Sequence, residues 1–570
     1  MNFAEENHLL SPHQFAFRQD YRTSDAIFSL QSSVNYYKHK NKPVYCCFVD
    51  FSKAFDSINR TALIYKLGTI GIKGNMLKLL INMYSSADYI IKSDGKYSSP
   101  INSKFGVKQG CNLSPLLFNL FVNDIHSIFE DCKPLNINDW KISSLSFADD
   151  LVLLSESESG LRKCLQKLES YCADWGLKVN PTKTKVMVFN KKFTKNIKKL
   201  HFDIEQNPIE VTNSYLYLGV EITNTGNFTK ASDVLYKKAL KALFSIYSSL
   251  DVRSDERNAG LFIKLFDSLV KPVLLYGCEI WGSIAKSPKN VINKFVNKFY
   301  KTLLGVPQHT STAGIHAELG RFPIFTNIQQ TMIKFWFRLV TLPKSRLVSH
   351  CYWSLFNLNP RNDPWFNEIK NIFTSTGQQF IWDCQASLSS FDPRYISAHI
   401  KYICQTLQDI SLQETNEKID NETKLKFFRN SKPSNKLPNY VKILSGRKKR
   451  SSLSKFRLGT LDLEIEKGRR KKNIPRSERL CKICNSKQPE DEIHFILSCP
   501  ALSSHRDPYI PKITSFNKHF TYLSDEEKVQ YLYFNESLPT DTLETAATLL
   551  ETLIERRQFL LNSIEYKYLS

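Results

Sequence analysis

Three aspartates and a group of cysteines are the residues whose types and spacing point most directly to chemistry. Asp50 ends a short apolar run from Tyr45 to Val49, and Asp149 and Asp150 stand together at the hinge of two apolar runs spanning Leu145 to Ser155. Burying carboxylates beside one another raises their energy unless a cation neutralises them. One Asp at a strand end plus an Asp-Asp pair at a hairpin can hold two Mg²⁺ ions about 3.5 to 4 Å apart for in-line nucleotidyl transfer, one ion activating a 3′-hydroxyl and the other holding a triphosphate. Each motif alone also has a plainer reading, with Asp50 capping a helix that begins near Ser52 and Asp149-Asp150 forming a tight turn. Their joint occurrence on one frame favours the metal reading. The second group, Cys481-x2-Cys484-x9-His494-x4-Cys499, offers three thiolates and an imidazole in an order that suits a closed, tetrahedral, structural Zn²⁺ site. Three buried thiols and a satisfied histidine are the alternative, and His505 competes with His494 as the nitrogen ligand.

Elements must bring the aspartates together. Tyr45 to Val49 reads as a buried strand, Ser52 to Leu67 as a helix, Leu113 to Phe129 as a helix, Leu145 to Ser155 as a hairpin, Leu161 to Trp175 as an amphipathic helix and Val186 to Phe189 as a strand. That is the β-α-β-β-α-β order of a ferredoxin-like sheet with helices on one face, an α+β fold. Tyr215 to Ile222 adds a further strand, as part of a hairpin. Beyond it the periodicity turns helical over Ala231–Leu250, Leu261–Tyr276 and Val291–Leu304. From about Val348 to Lys432 the pattern assigns no role. Leu543, Ala547, Leu550, Ile554 and Leu561 mark a final packing helix.

Composition bounds the partners. With 570 residues, 42% of them hydrophobic and 23% charged, the chain is too long for a single small module and too apolar for wholesale disorder. Lys and Arg number 78 against 55 Asp and Glu, a formal charge of +23, which marks a polyanion partner, nucleic acid ahead of a membrane surface. Gly446 to Arg476 alone holds twelve basic residues against three acidic ones. No apolar run is long enough to span a bilayer, MNFAEENHLL has no signal-peptide pattern, and ten of the 13 cysteines are scattered, so a soluble, intracellular, reduced protein is expected.

VDFSKAFDS (Val49 to Ser57), GVKQGCNLSPLLFNLFVNDI (Gly106 to Ile125), SFADDLVLLS (Ser146 to Ser155), GLKVNPTKTKVMVF (Gly176 to Phe189) and YLGVEI (Tyr217 to Ile222) resemble, in order, the palm motifs of reverse transcriptases of LINE-type non-LTR retrotransposons, jockey-like or of a related clade. QFAFRQDYRTSDAIF (Gln14 to Phe28) is similar to that family's fingers motif, LLYGCEIWG and LLGVPQHTSTAGIHAELGRFPI to its thumb and post-thumb region, and ERLCKICNSKQPEDEIHFILSCPALSSHR to its carboxy-terminal Cys-Cys-His-Cys motif. Phe147-Ala148-Asp149-Asp150 has Phe where retroviral enzymes read Tyr, the version seen in LINE-type elements.

The resemblance implies a right-hand polymerase fold with a ferredoxin-like palm, a helical thumb and a small zinc-bearing basic region. It implies fingers and palm over residues 1–223, thumb and post-thumb over 224–345, a connector over 346–435, the basic segment with the zinc motif over 436–510 and a helical tail over 511–570. Asp50, Asp149 and Asp150 would form the catalytic triad, Asp50 and Asp149 being the principal Mg²⁺ ligands. Phe55, five residues after Asp50, stands at the position of a steric gate, where a ring excludes a ribose 2′-hydroxyl and so disfavours RNA synthesis. Gln109 and Gly110 match the loop beneath the nascent base pair, Arg18 a fingers residue that grips the triphosphate, and Lys183 a general acid for departing pyrophosphate. The implied activity is RNA-directed DNA polymerisation with an RNA template, a DNA primer or target and deoxynucleoside triphosphates, in a ribonucleoprotein of nucleus and cytoplasm. The zinc loop and basic stretch are expected to bind nucleic acid together. Upstream fingers segments and the endonuclease domain usual in such elements are expected to be missing, so the alternative is a truncated fragment that only binds RNA or DNA.

Overall fold

The computed structural model describes residues 2–85, 88–191, 195–249, 259–358, 363–431, 436–444, 446–471 and 474–569. Two compact units interleave along the chain: Met1–Val234 with Tyr276–Ala285 and Thr331–Ile400, and Leu235–Leu275 with Lys286–Gln330 and Lys401–Ser570.

A six-stranded sheet organises the first unit, with β1 (Val44–Val49), β2 (Ser144–Phe147), β3 (Asp150–Ser155), β4 (Lys185–Phe189), β5 (Phe202–Ile204) and β6 (Asn207–Val211) in the order β5-β6-β4-β1-β3-β2. The stretch β4-β1-β3-β2 is antiparallel throughout, which is the ferredoxin-like order expected from the sequence, and β6 adds to β4 in parallel. All six residues of β1 are buried, so this central strand reads as an unbroken apolar run instead of an alternating one. Cys47, Val49, Leu151, Leu153, Val186 and Val188 share one core with α3 (Ser114–Phe121) and α4 (Glu158–Trp175), preceded in the chain by α1 (Thr23–His39) and α2 (Arg60–Thr69). On the other face Phe48 stacks on Tyr215 at 4.3 Å, so the hairpin Ser214–Tyr217/Val220–Thr223 covers what helices do not.

Local chemistry sets the element ends. The Ser157 hydroxyl accepts from the Gly160 N–H to start α4, and Gly176 at φ +72° ends it. The helix expected over Ser52 to Leu67 is broken into Ala54–Ser57 and α2, because Asn59 caps the second piece, its side chain accepting from Thr61 N and Ala62 N. The helix expected over Leu113 to Phe129 is α3 followed by a 3₁₀ stretch, Asn123–Phe129.

Residues 331–400 complete the first unit, although the sequence pattern there is weak. Helices Leu347–Asn357 and Pro364–Ser375 pack by rings, Tyr352 against Phe366 at 5.4 Å, and Trp336 of helix Ile324–Thr341 packs against Phe373 at 4.6 Å. Asp25 of α1, fully buried, is ion-paired with Arg338. The connector expected over 346–435 is thus divided between the two units.

The second unit is helical at its core. Phe266 stacks on Phe299 of helix Lys286–Leu304 at 4.2 Å. The helix expected over Leu261 to Tyr276 passes through a π turn at Phe266–Val270, beside Pro272, which has no N–H to give to the turn behind it. Helices Arg447–Arg457 and Thr540–Leu569 also belong to this unit. No helix among the described residues is long and apolar enough to cross a membrane.

Candidate active site and metal centre

Asp50 follows β1 directly, and its backbone is tied to the loop that leads into β4. Asn180 N donates to Asp50 O at 2.7 Å, Asp50 N donates to the Thr184 hydroxyl at 3.2 Å, and Ser52 N donates to Lys178 O at 2.8 Å. These ties carry Lys183 to the site, its Nζ 3.7 Å from an Asp50 carboxylate oxygen. On the adjacent strand pair, Phe147 faces Asp150 across a two-residue turn of Ala148 and Asp149. Ala148 sits at φ +57°, a left-handed conformation that costs a non-glycine residue roughly 1–2 kcal/mol.

The three carboxylates repel one another. Burial raises the pKa of Asp149, and the Asp50 charge raises it further. Asp150 is pushed up to about 6, by burial first and then by Asp149 and Asp50. Tyr215, from the covering hairpin, is pushed up to about 12 by burial and by the charges of Asp150 and Asp50. Among the described residues, Lys183 is the one Lys or Arg within 4.0 Å of any of these carboxylates. Hard oxygen donors in excess of local cations suit Mg²⁺.

A cavity of about 490 Å³ is lined by Phe55, Lys108, Gln109, Gly110, Cys111 and Ser114, among others. Phe55 is held flat against Phe118 at 4.3 Å and edge-on to Phe17 at 6.4 Å. Val107 N donates to Phe55 O at 3.0 Å, and Gln109 Nε2 donates to Asp56 Oδ1 at 2.8 Å, so the Gly106–Gly110 loop is pinned to the turn carrying Phe55. Gly106 is required there, since at φ +82° a Cβ would meet the Asp56 backbone at 3.0 Å.

Arg18 departs from the expectation. Its Nε and Nη2 donate to the Glu5 carboxylate at 2.8 Å each, and its Nη1 donates to Ser11 O and Gln14 O at 2.7 and 3.1 Å. With the side chain 7% exposed, its donors tie the amino-terminal segment together and are not free to grip a triphosphate. Sequence reasoning passed over two residues that the structure brings in: Asp56, which holds Gln109, and Gln14, whose side chain bonds the Ala148 backbone. Both are polar residues inside matched motifs, but only their contacts distinguish them.

A profile of the reverse transcriptase (RNA-dependent DNA polymerase) family matches residues 2–222, the stretch that carries the aspartates, Phe55 and the loop through Gly110. Over residues 2–222 the chain is similar to reverse transcriptases, those of non-LTR elements among them. The chain is 25% identical over 328 residues to a probable RNA-directed DNA polymerase from transposon BS of Drosophila melanogaster, covering 55% of this chain and 35% of that protein. It is 22% identical over 339 residues to the RNA-directed DNA polymerase from mobile element jockey of Drosophila funebris, covering 58% of this chain and 36% of the relative. Against the Pol polyprotein of the type-2 retrotransposable element R2DM of Drosophila melanogaster it is 26% identical over 291 residues, 49% of this chain and 26% of the relative. The chain spans about a third of the length of the first two of these relatives.

Further along the chain, Cys481, Cys484, His494 and Cys499 converge, their ligand atoms lying within 4.8 Å of one another. A short loop presents the first two: Cys481 N donates to Gln488 O at 2.9 Å, and Leu480 bridges Pro489. His494 starts a π turn whose N–H donates to Asp491 Oδ1 at 2.9 Å, and Cys499 N donates back to His494 O at 2.7 Å. His494 Nε2 lies 3.4 Å from Cys484 Sγ, while Nδ1 lies 3.3 Å from Gln488 Oε1, which can accept its proton and fix the ring. His505 is outside the group and contacts Ser504. Three sulfurs and one nitrogen at this separation fit a tetrahedral site, for which ligand edges of about 3.8 Å follow from Zn–S bonds of about 2.3 Å.

The neighbouring basic stretch, expected to bind nucleic acid together with the zinc loop, makes several pairs within the fold. In helix Arg447–Arg457, Arg457 is buried and donates to Glu318 and Glu536, and Arg450 is buried with Nη1 on Leu444 O. Lys449 pairs with Glu544 at 3.1 Å and Lys448 with Glu555 at 4.0 Å. Lys467, Arg469 and Arg476 pair with acids of their own vicinity. Lys472 lies outside the described residues.

Proposed function

We propose that this chain is the polymerase portion of a non-LTR retrotransposon protein, an RNA-directed DNA polymerase that extends a DNA primer on an RNA template from deoxynucleoside triphosphates. The observation that carries the reading is the set of three mutually repelling carboxylates gathered at the end of β1 and the β2–β3 turn. Asp50 and Asp149 would hold two Mg²⁺ ions, with Asp150 completing the charge. When bound, the ions supply activation of the primer hydroxyl and charge neutralisation on the phosphates.

The other steps belong to the chain's own side chains. Phe55, braced by Phe118, narrows the cavity where a ribose 2′-hydroxyl would lie, and so selects deoxynucleotides. The Gln109-Gly110 backbone supports the base pair, the loop being held by Asp56. Lys183, 68% exposed and aimed at Asp50, is placed to donate a proton to leaving pyrophosphate. The Cys481, Cys484, His494 and Cys499 group takes structural Zn²⁺. The protein acts in the nucleus and cytoplasm as part of a ribonucleoprotein with its template RNA and target DNA.

Asp50→Ala tests the reading. It should abolish primer extension on an RNA template and leave binding of the RNA–DNA duplex within about two-fold, because the duplex is held by phosphate and shape contacts elsewhere. Equal extension by the variant would overturn it. Tight, salt-sensitive binding without extension by the wild-type chain would replace it with a binding-only fragment.

A further inference from the structure

We propose that Gln14 is a positioning residue of the palm, its side-chain amide holding the Ala148-Asp149 turn in the conformation that presents Asp149. The inference rests on the polymerase reading and deepens it. Gln14 is 1% exposed, although it is polar and lies far from the turn in sequence. Its Oε1 accepts from Ala148 N at 3.0 Å and from Ala16 N at 3.0 Å, and its Nε2 donates to Ala148 O at 3.5 Å. One amide therefore engages both backbone polar groups of the residue before Asp149.

Ala148 is where help is needed. At φ +57° it occupies a region that L-residues with a Cβ disfavour, and its methyl group has no means of stabilising that state. Relaxation of φ to negative values would rotate the peptide that joins Ala148 to Asp149 and re-aim the carboxylate. Gln14 is itself fixed in register. Phe15 N donates to Ser146 O and Ser146 N donates to His13 O, each at 2.9 Å, so His13 to Phe15 runs as a short edge along β2. Arg18 Nη1 secures the Gln14 carbonyl from the other side, which gives that buried guanidinium a role at the same turn.

The Gln14 amide makes both kinds of bond. Met at position 14 keeps the length and loses donor and acceptor; Glu keeps the acceptor, loses the donor and sets a negative charge behind Asp149. Gln14→Met should lower kcat for single-nucleotide addition about 10- to 100-fold, the scale of a displacement near 1 Å, with KM for the nucleotide and duplex affinity nearly unchanged. Gln14→Glu should lower it at least as far.

The decisive experiment is a double-mutant cycle with Ala148→Gly, read by kcat and by hydrogen exchange of the peptide 146–151 in the metal-free chain. Glycine takes positive φ unaided, so the penalty of Gln14→Met should shrink several-fold in the Ala148→Gly background. Exchange of the Ala148 amide should be faster in Gln14→Met than in wild type, with melting temperature as the check on folding. An undiminished penalty in the glycine background, or unchanged exchange, would overturn the proposal, as would a parallel loss of duplex binding. Failure of the wild-type chain to extend primers bears on the polymerase reading alone, and exchange then decides the fate of the clamp.

Discussion

The aspartate-bearing sheet and the carboxy-terminal basic helix treat charge in opposite ways. Asp50, Asp149 and Asp150 are gathered with a single nearby lysine and raise one another's energy. In helix Arg447–Arg457, by contrast, several cations are paired within the fold, Arg457 with Glu318 and Glu536, Lys449 with Glu544. Formal charge along a sequence therefore does not locate a binding site. The uncompensated group is the small acidic one inside a strongly basic chain, and part of the densest basic run is paired within the fold.

Opposite charge designs predict opposite responses to mutation. The largest effect expected is on activity: Asp149→Ala should reduce primer extension by at least about 10³-fold, since under the proposed reading it removes a principal ligand of the charge-stabilising ions. Its melting temperature, by contrast, should hold or rise. Arg457→Met is the counterpart. It should destabilise the second unit by about 3–5 kcal/mol, because Glu318 is left buried and unpaired, and calorimetry should report that loss. A stable Arg457→Met protein that fails to bind RNA would break the comparison.

pH sharpens it. Asp150 is raised from 3.8 to about 6, so the folded chain holds a proton that the unfolded chain releases over that interval. The metal-free protein should accordingly lose stability as pH rises through the window, and Mg²⁺ affinity should increase over the same range as the proton leaves. Asp150→Asn should flatten the stability profile, and urea unfolding at several pH values reads it directly. A smaller effect is expected at the cysteine group. Replacing Cys481 and Cys484 with Ser should remove one equivalent of zinc by elemental analysis and expose residues 480–500 to hydrogen exchange, leaving extension on short templates little changed. Smallest of all, Phe55→Val should raise ribonucleotide incorporation while deoxynucleotide use stays within a few-fold.

Much of the first unit was legible because its signals are local. An apolar run ending in Asp50 and an apolar hairpin broken by Asp149-Asp150 each announce a strand end, and the order of elements implies the β4-β1-β3-β2 sheet. What the sequence hid depends on distant contacts. Asn59 breaks a helix whose apolar spacing runs straight through it. Residues 331–400 carry too many aromatic residues in irregular spacing to show which unit they complete. Arg18 looked like a ligand-binding arginine because nothing in its neighbourhood reveals that Glu5, Ser11 and Gln14 consume its donors. Gln14 was invisible for the same reason, since its partner Ala148 lies across the fold. The cysteine group was legible by spacing, and His494 over His505 was decided only in three dimensions.

The central claim is that the uncompensated aspartates carry out templated DNA synthesis. It is tested most directly by single-turnover extension of a labelled DNA primer on a heteropolymeric RNA template with Mg²⁺, using the purified chain beside its Asp149→Ala variant. The account predicts DNA products that require all four deoxynucleotides, vanish in the variant and do not form from ribonucleotides. Duplex bound by the wild-type chain with no nucleotide added, or addition undiminished in the variant, would contradict it.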